Sequence, residues 1–374
     1  MPVVTPRLRL RRSRKGLSAF APKGAAIDRL SDLPGGWDNP GNLRARRYVP
    51  GGLEGPAPLV VVLHGCTQDA AVYDHGSGWS TLADRHGFIL LFAEQQRANN
   101  PMLCFNWFSP ADTRRGSGEA ASIKAMIEAM KAAHDIDPAR VFVTGLSAGG
   151  AMAAAMLAAY PEIFAAGAIV AGVAYGCASD VNEAFECMAG RARTDAGALA
   201  DRVRRASAHR GPWPRIQVWQ GSADHTVAPG NADAIVLQWA NLHGLGPKPD
   251  RMDRVADYPR RTWTDAKGEA VIEHYTITGM AHGVPLDPDA GADAIGAAGA
   301  YMLDVGLSST AQIAAFFGLA PEAEAKAVPA PQARERPADS RAMPPEAPAG
   351  GRQAPAGGSQ AVIEKALRAA GLLR

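Results

Sequence analysis

The chain has 374 residues with 47% hydrophobic content, enough for one large globular core plus an appendage. Lys and Arg total 39 against 37 Asp and Glu, a formal charge of +2, which offers no electrostatic case for a nucleic-acid or highly acidic partner. No apolar stretch approaches the roughly 18–20 residues of a membrane span, and the four cysteines form no C-x-x-C pattern, which argues against a zinc site.

Residues 1–40 read as a loose leader in which Arg7, Arg9, Arg11, Arg12, Arg14 and Lys15 bunch together, a tract whose like charges repel and stay solvated. The segment GLSAFAPKGAA that follows is too short and broken for the apolar core of a signal peptide. From about residue 41 to 319, apolar runs alternate with alanine-rich stretches. APLVVVLHG (57–65), FILLFAE (88–94), VFVTG (141–145), GAIVAG (167–172) and IQVWQG (216–221) lack apolar/polar alternation, as strands buried on both faces do. AASIKAMIEAMKAAH (120–134) and AGGAMAAAMLAAY (148–160) have the length and composition of helices. This rhythm predicts an α/β fold with a mostly parallel central sheet flanked by helices. Residues 320–358, rich in Pro, Ala, Glu and Gly, read as a disordered linker, and residues 359–374 as an amphipathic helix with Val362, Ile363, Ala366, Leu367 and Ala370 on one face.

The chemistry centres on Gly145-Leu146-Ser147-Ala148-Gly149, a G-x-S-x-G nucleophile elbow placed between a buried strand and a helix. The turn strains the serine and demands small neighbours, which Gly145, Gly149 and Gly150 supply. A serine hydroxyl needs a base, and the base needs an orienting acid. In this fold they follow in the order Ser, Asp or Glu, His. Asp224, in QGSADHTV, follows the strand IQVWQG, and His282, in GMAHGVPL, follows the strand VIEHYTI. His225 precedes any other strand-end acid of comparable placement. His274 lies inside VIEHYTI as a packed or surface residue, His209 and His243 fall in helix or linker, and Asp250, Asp253 and Asp257 occupy what reads as a solvated loop. Two backbone amides must hold the oxyanion. The expected donors are Ala148, after the nucleophile, and Cys66, in LHGCTQ, with the His64 ring bracing that loop.

LHGCTQ, NWF (106–108), RRGSGEAASI (114–123), GLSAGGAM (145–152), QGSADHTV and GMAHGVPL together resemble the poly(3-hydroxybutyrate) depolymerase family of esterases, related to feruloyl and acetylxylan esterases, over roughly residues 43–290. The resemblance implies the α/β-hydrolase fold and ester hydrolysis through an acyl-enzyme, without cofactor or metal. It implies Ser147, Asp224 and His282 as the triad and the amides of Cys66 and Ala148 as the oxyanion hole. The expected substrate is an ester or polyester of the hydroxybutyrate type. Feruloyl or acetyl-xylan esters, peptide bonds, or non-catalytic binding to a polyester surface are the alternatives. Trp107 and Trp79 are candidate walls of the substrate cleft, with a place in the core as the other reading, and Trp219 belongs to the core. Cys177–Cys187 and Cys66–Cys104 are possible disulfides, with free packed thiols as the alternative. The compartment stays open between extracellular, cytoplasmic and granule-associated, and so does the oligomeric state.

Overall fold

The computed structural model describes residues 26–192 and 195–321. The start of the leader, the C-terminal helix and all but the first two residues of the linker lie outside the described residues. Among those described, ten strands form one sheet: β1 (Ser31–Asp32), β2 (Arg44–Tyr48), β3 (Ala57–Leu63), β4 (Ile89–Glu94), β5 (Ile136–Leu146), β6 (Ala166–Val170), β7 (Arg215–Gly221), β8 (Arg251–Val255), β9 (Tyr258–Thr264) and β10 (Ala270–Ile277). Their spatial order is β1-β2-β4-β3-β5-β6-β7-β10-β9-β8. The six central strands, from β4 to β10, pair in parallel. Antiparallel strands close both edges. A small parallel pair, β11 (Val284–Leu286) and β12 (Met302–Asp304), stands apart. The helices are α1 (Ala70–Ser77), α2 (Trp79–His86), α3 (Pro110–Thr113), α4 (Gly118–Ala133), α5 (Ala148–Ala159), α6 (Val181–Met188), α7 (Ala196–Ala206), α8 (Gly230–Leu242) and α9 (Ser309–Phe316). None described is long and apolar enough to cross a membrane. This is the mostly parallel α/β arrangement that the sequence predicts.

The uninterrupted apolar runs follow from burial on both faces. In β3, Leu59, Val61 and Leu63 point into a core shared with α4, α5, α7 and α8. Val60 and Val62 point into the opposite core, with α1, α2 and α9. All twelve residues of α5 are buried, so its alanines and glycines let it approach the sheet and its neighbouring helices at once.

The edges depart from the sequence expectation. Read as a solvated loop, the stretch carrying Asp250, Asp253 and Asp257 in fact contributes edge strand β8. Asp253 accepts a two-pronged hydrogen bond from Arg260 of β9, at 2.9 and 2.8 Å, so the charges that look like loop residues are cross-strand partners. Arg46 of β2 is likewise buried and reaches Asp28 at 3.0 Å. That pair, with buried Leu30 and Leu33 and strand β1, places part of the expected leader inside the fold. The ordered unit therefore begins before residue 41. His274 is packed, beneath the guanidinium of Arg261. Burial, with that cation beside it, pushes its pKa down to about 3, so it stays neutral and inert.

Candidate active site

The parallel strands β5, β6 and β7 end on one rim of the sheet, and the candidate residues occupy the loops beyond them. Ser147 sits between β5 and α5 with φ 57° and ψ −117°, a conformation that side-chain-bearing residues rarely adopt. Its N–H donates to Val170 O at 2.9 Å, which pins the turn to β6. The flanking glycines are sterically required. A methyl at Gly145 would lie 2.4 Å from the Gly149 carbonyl, and one at Gly149 would lie 2.3 Å from Leu63 O. Both obstacles are backbone and cannot swing aside. Gly149→Ala should therefore cost about 3 kcal/mol, the upper end of the overpacking range, and abolish activity with it. Thermal unfolding followed by circular dichroism checks this, and an unchanged melting temperature would mean the elbow yields.

Beyond β7, Asp224 is 2% exposed. Its Oδ1 accepts the N–H groups of Thr226 and Val227 at 2.8 and 2.9 Å. Its Oδ2 accepts from Gln220 Nε2 at 3.0 Å and from His282 Nδ1 at 2.7 Å. A carboxylate can only accept here, so the imidazole proton is on Nδ1 and Nε2 is left free as a base. His282 is buried, with Tyr301 edge-on to its ring at 6.1 Å. The neighbouring His225 is exposed.

Ser147 and His282 line one cleft, together with Cys66 and Ala148. Neither the Cys66 nor the Ala148 N–H donates to any acceptor among the described residues. Both amides are thus available to an incoming oxygen. Thr67, at φ 66°, turns the chain just after Cys66, and its N–H donates to Met102 O at 2.7 Å. His64 lies beneath, 1% exposed, accepting Gln95 N–H on Nε2 at 3.0 Å and donating from Nδ1 to Gly65 O at 2.8 Å. Burial lowers its pKa and keeps it neutral, which suits a brace rather than a proton carrier.

Trp107 lines the cleft, edge-on to Phe108. Trp79 does not. It is 1% exposed inside the second core, edge-on to Phe88, so the expectation of a cleft wall is corrected to a core position. One side of the cleft is bounded by α6. Its Val181, Ala184, Phe185 and Met188 turn one apolar stripe into the cleft. The spacing i, i+3, i+4, i+7 in VNEAFECM carried that signal, and sequence reading missed it. Tyr301 was missed as well, and no local pattern marks it. Of the two disulfide possibilities left open, both are formed. Cys66–Cys104 joins the loop after β3 to the Trp107 segment, and Cys177–Cys187 ties α6 to the chain before it.

Residues 44–250 match the family model described as esterase PHB depolymerase, PHB being poly(3-hydroxybutyrate). The chain is 46% identical to poly(3-hydroxyalkanoate) depolymerase C of Paucimonas lemoignei, over 82% of this chain and 75% of that one. It is 33% identical to an acetylxylan esterase of Coprinopsis cinerea, over 68% of this chain and 69% of that protein. Among solved structures, the acetyl xylan esterase from Aspergillus awamori superposes with a TM-score of 0.67 at 26% identity, covering 78% of this chain and 99% of the other.

Proposed function

Since the chain belongs to the esterase PHB depolymerase family of ester hydrolases, we propose that it cleaves poly- or oligo(3-hydroxybutyrate), or a similar short hydroxyalkanoate ester, through an acyl-enzyme on Ser147. The observation that carries this reading is the placement of a carboxylate-oriented imidazole and a strained serine in one apolar cleft.

In the proposed sequence of steps, Ser147 Oγ attacks the ester carbonyl carbon while its proton passes to His282 Nε2. Asp224 stabilises the resulting imidazolium without taking the proton. The carbonyl oxygen, now negative, accepts from the Cys66 and Ala148 amides. His282 then gives its proton to the departing alkoxide, the alcohol leaves, and the acyl group remains on Ser147. Water enters, loses a proton to His282 and attacks the acyl carbon; the bond from that carbon to Ser147 Oγ then breaks, His282 returns its proton to Oγ and the acid leaves. Apart from the ester and the water, the groups these steps use are side chains and amides of this chain.

The cleft favours a methyl-branched aliphatic ester over a sugar ester. Phe108, Val181, Phe185, Met188 and Val227 give it an apolar lining with few polar groups beyond the reacting ones. Non-catalytic binding to a polyester surface would need neither the Asp224–His282 pair nor the backbone strain at Ser147.

Parallel turnover of amorphous polyhydroxybutyrate, hydroxybutyrate oligomers, acetylated xylan, methyl ferulate and a short p-nitrophenyl ester tests the substrate class. The hydroxybutyrate esters should exceed methyl ferulate and acetylated xylan in kcat/KM by about 10-fold or more, the scale of one or two mismatched apolar contacts. A preference for either plant-type ester would replace the hydroxyalkanoate reading with that one.

A further inference from the structure

RRGSGEAASI contains a buried carboxylate that the proposed chemistry does not use. Glu119, the second residue of α4, is 1% exposed. All three of its partners are donors. Its Oε2 accepts the Asn106 N–H at 2.9 Å, and its Oε1 accepts Asn106 Nδ2 at 2.8 Å and Gln95 Nε2 at 2.5 Å. No cation pairs with it among the described residues. What favours the negative charge is the start of α4 and these N–H groups.

Two hydrogen-bonded arms leave this carboxylate, and both end beside Cys66. Along the first, the Gln95 backbone N–H donates to His64 Nε2 at 3.0 Å, and His64 Nδ1 donates to Gly65 O at 2.8 Å. Along the second, Asn106 Oδ1 accepts from Asn100 Nδ2 at 3.0 Å, and Asn100 Oδ1 accepts the Met102 N–H at 2.9 Å. Met102 O in turn receives the Thr67 N–H at 2.7 Å. Gly65 and Thr67 flank Cys66, which lines the cleft and whose N–H has no acceptor among the described residues. The amide orientations are not interchangeable. Gln95 Oε1 already accepts Gln96 N–H and Asn99 Nδ2, at 2.9 and 2.8 Å, so its Nε2 must face Glu119.

From this geometry we infer that Glu119 is a positioning residue for ester hydrolysis, setting the Cys66 amide at the oxyanion through the Gln95–His64 and Asn106–Asn100 arms. The inference rests on the esterase reading above. Glu119 works at a distance from the reacting atoms, so its effect belongs to the transition state. A displaced donor weakens the hold on the oxyanion and leaves ground-state binding of the ester largely alone.

Burial raises the Glu119 pKa to about 8, with Asp112 of α3 adding to the rise. Further ionisable groups along the first arm are His64, held neutral by burial, and Glu94 and Asp69, whose charges act on His64. Below that pH the carboxyl holds a proton against N–H donors and gives up a bond. Above it, all three bonds are accepted. In the wild type, kcat should therefore carry an added rise near pH 8, distinct from that of the catalytic base.

Glu119→Gln, assayed on a short p-nitrophenyl ester, should lower kcat about 10- to 100-fold while KM stays within about threefold, and the rise near pH 8 should vanish. Asn106→Ala and Gln95→Ala each cut one arm and should each lower kcat with KM kept. Losses in the Glu119→Gln/Asn106→Ala double variant should be less than additive. If Glu119→Gln does not fold, the two single-arm variants decide, and wild-type kcat in both overturns the inference. A raised KM with unchanged kcat in Glu119→Gln would also overturn it, because the carboxylate would then shape only the Trp107 wall. Should Ser147→Ala remain active, the esterase reading itself falls. Should Ser147→Ala be dead while Glu119→Gln turns over like the wild type, only this inference falls.

Discussion

Ser147→Ala should reduce turnover of every ester the wild type accepts by roughly 10⁴–10⁶-fold, leaving only the acceleration due to binding and the oxyanion donors. The substitution is gentle on the fold. It removes one oxygen, and none of the side-chain hydrogen bonds among the described residues involves the Ser147 hydroxyl. Alanine still has to adopt φ 57° and ψ −117°, as serine already does. The melting temperature should thus stay within a few degrees of the wild type while activity disappears. Burst kinetics with a p-nitrophenyl ester provide the measurement. A folded Ser147→Ala protein that still releases a stoichiometric burst would place the acyl group on another residue.

Asp224→Asn should cost roughly 10⁴-fold in kcat, for a reason readable in its hydrogen bonds. The Thr226 and Val227 amides both donate to Oδ1, at 2.8 and 2.9 Å, and so select the amide oxygen of asparagine for that position. The asparagine NH₂ must then face His282 Nδ1 and Gln220 Nε2, which now approach Oδ2 at 2.7 and 3.0 Å. To accept from that NH₂, His282 has to move its proton to Nε2, the nitrogen that should receive the serine proton. The ring stays in place but presents the wrong tautomer. Measured at fixed pH, kcat should collapse with KM little changed. A loss below about 10-fold would show that Asp224 is not the group that orients the base.

The parts of this molecule legible in the sequence are those whose physical demands are local. Leu59 to Leu63 must be apolar because both faces of β3 are covered, and a run of five such residues has few other uses. Gly145, Ser147 and Gly149 declare the elbow because a turn that tight leaves no space for a Cβ on either side. Asp224 and His282 could be singled out because each follows a buried strand in the order the proposed chemistry requires. The edge strands were illegible for the opposite reason. Asp253 looks like a loop residue until β8 and β9 pair and bring Arg260 to 2.8 Å from it. Trp79 could not be assigned from its neighbours, since its exposure is decided by Phe88 and by a core built from distant strands. Glu119 lay within a recognised motif, but its role depends on Gln95, 24 positions away, and on Asn106, 13 positions away, converging on one carboxylate.

Both cross-links, Cys66–Cys104 and Cys177–Cys187, join segments that bound the cleft, and the ten-stranded sheet beneath contains none. The scaffold and the working face thus have separate thresholds of failure. The sheet is held by burial, which a mild reductant does not touch, whereas the two rims are held partly by bonds that a thiol can open. Acquiring the fold and maturing the catalyst are therefore distinct events for this chain. Material assembled in a reducing host and material oxidised afterwards would share one circular dichroism spectrum and differ in turnover. For anyone producing this hydrolase, solubility is a poor proxy for competence, and the thiol count is the better quality control.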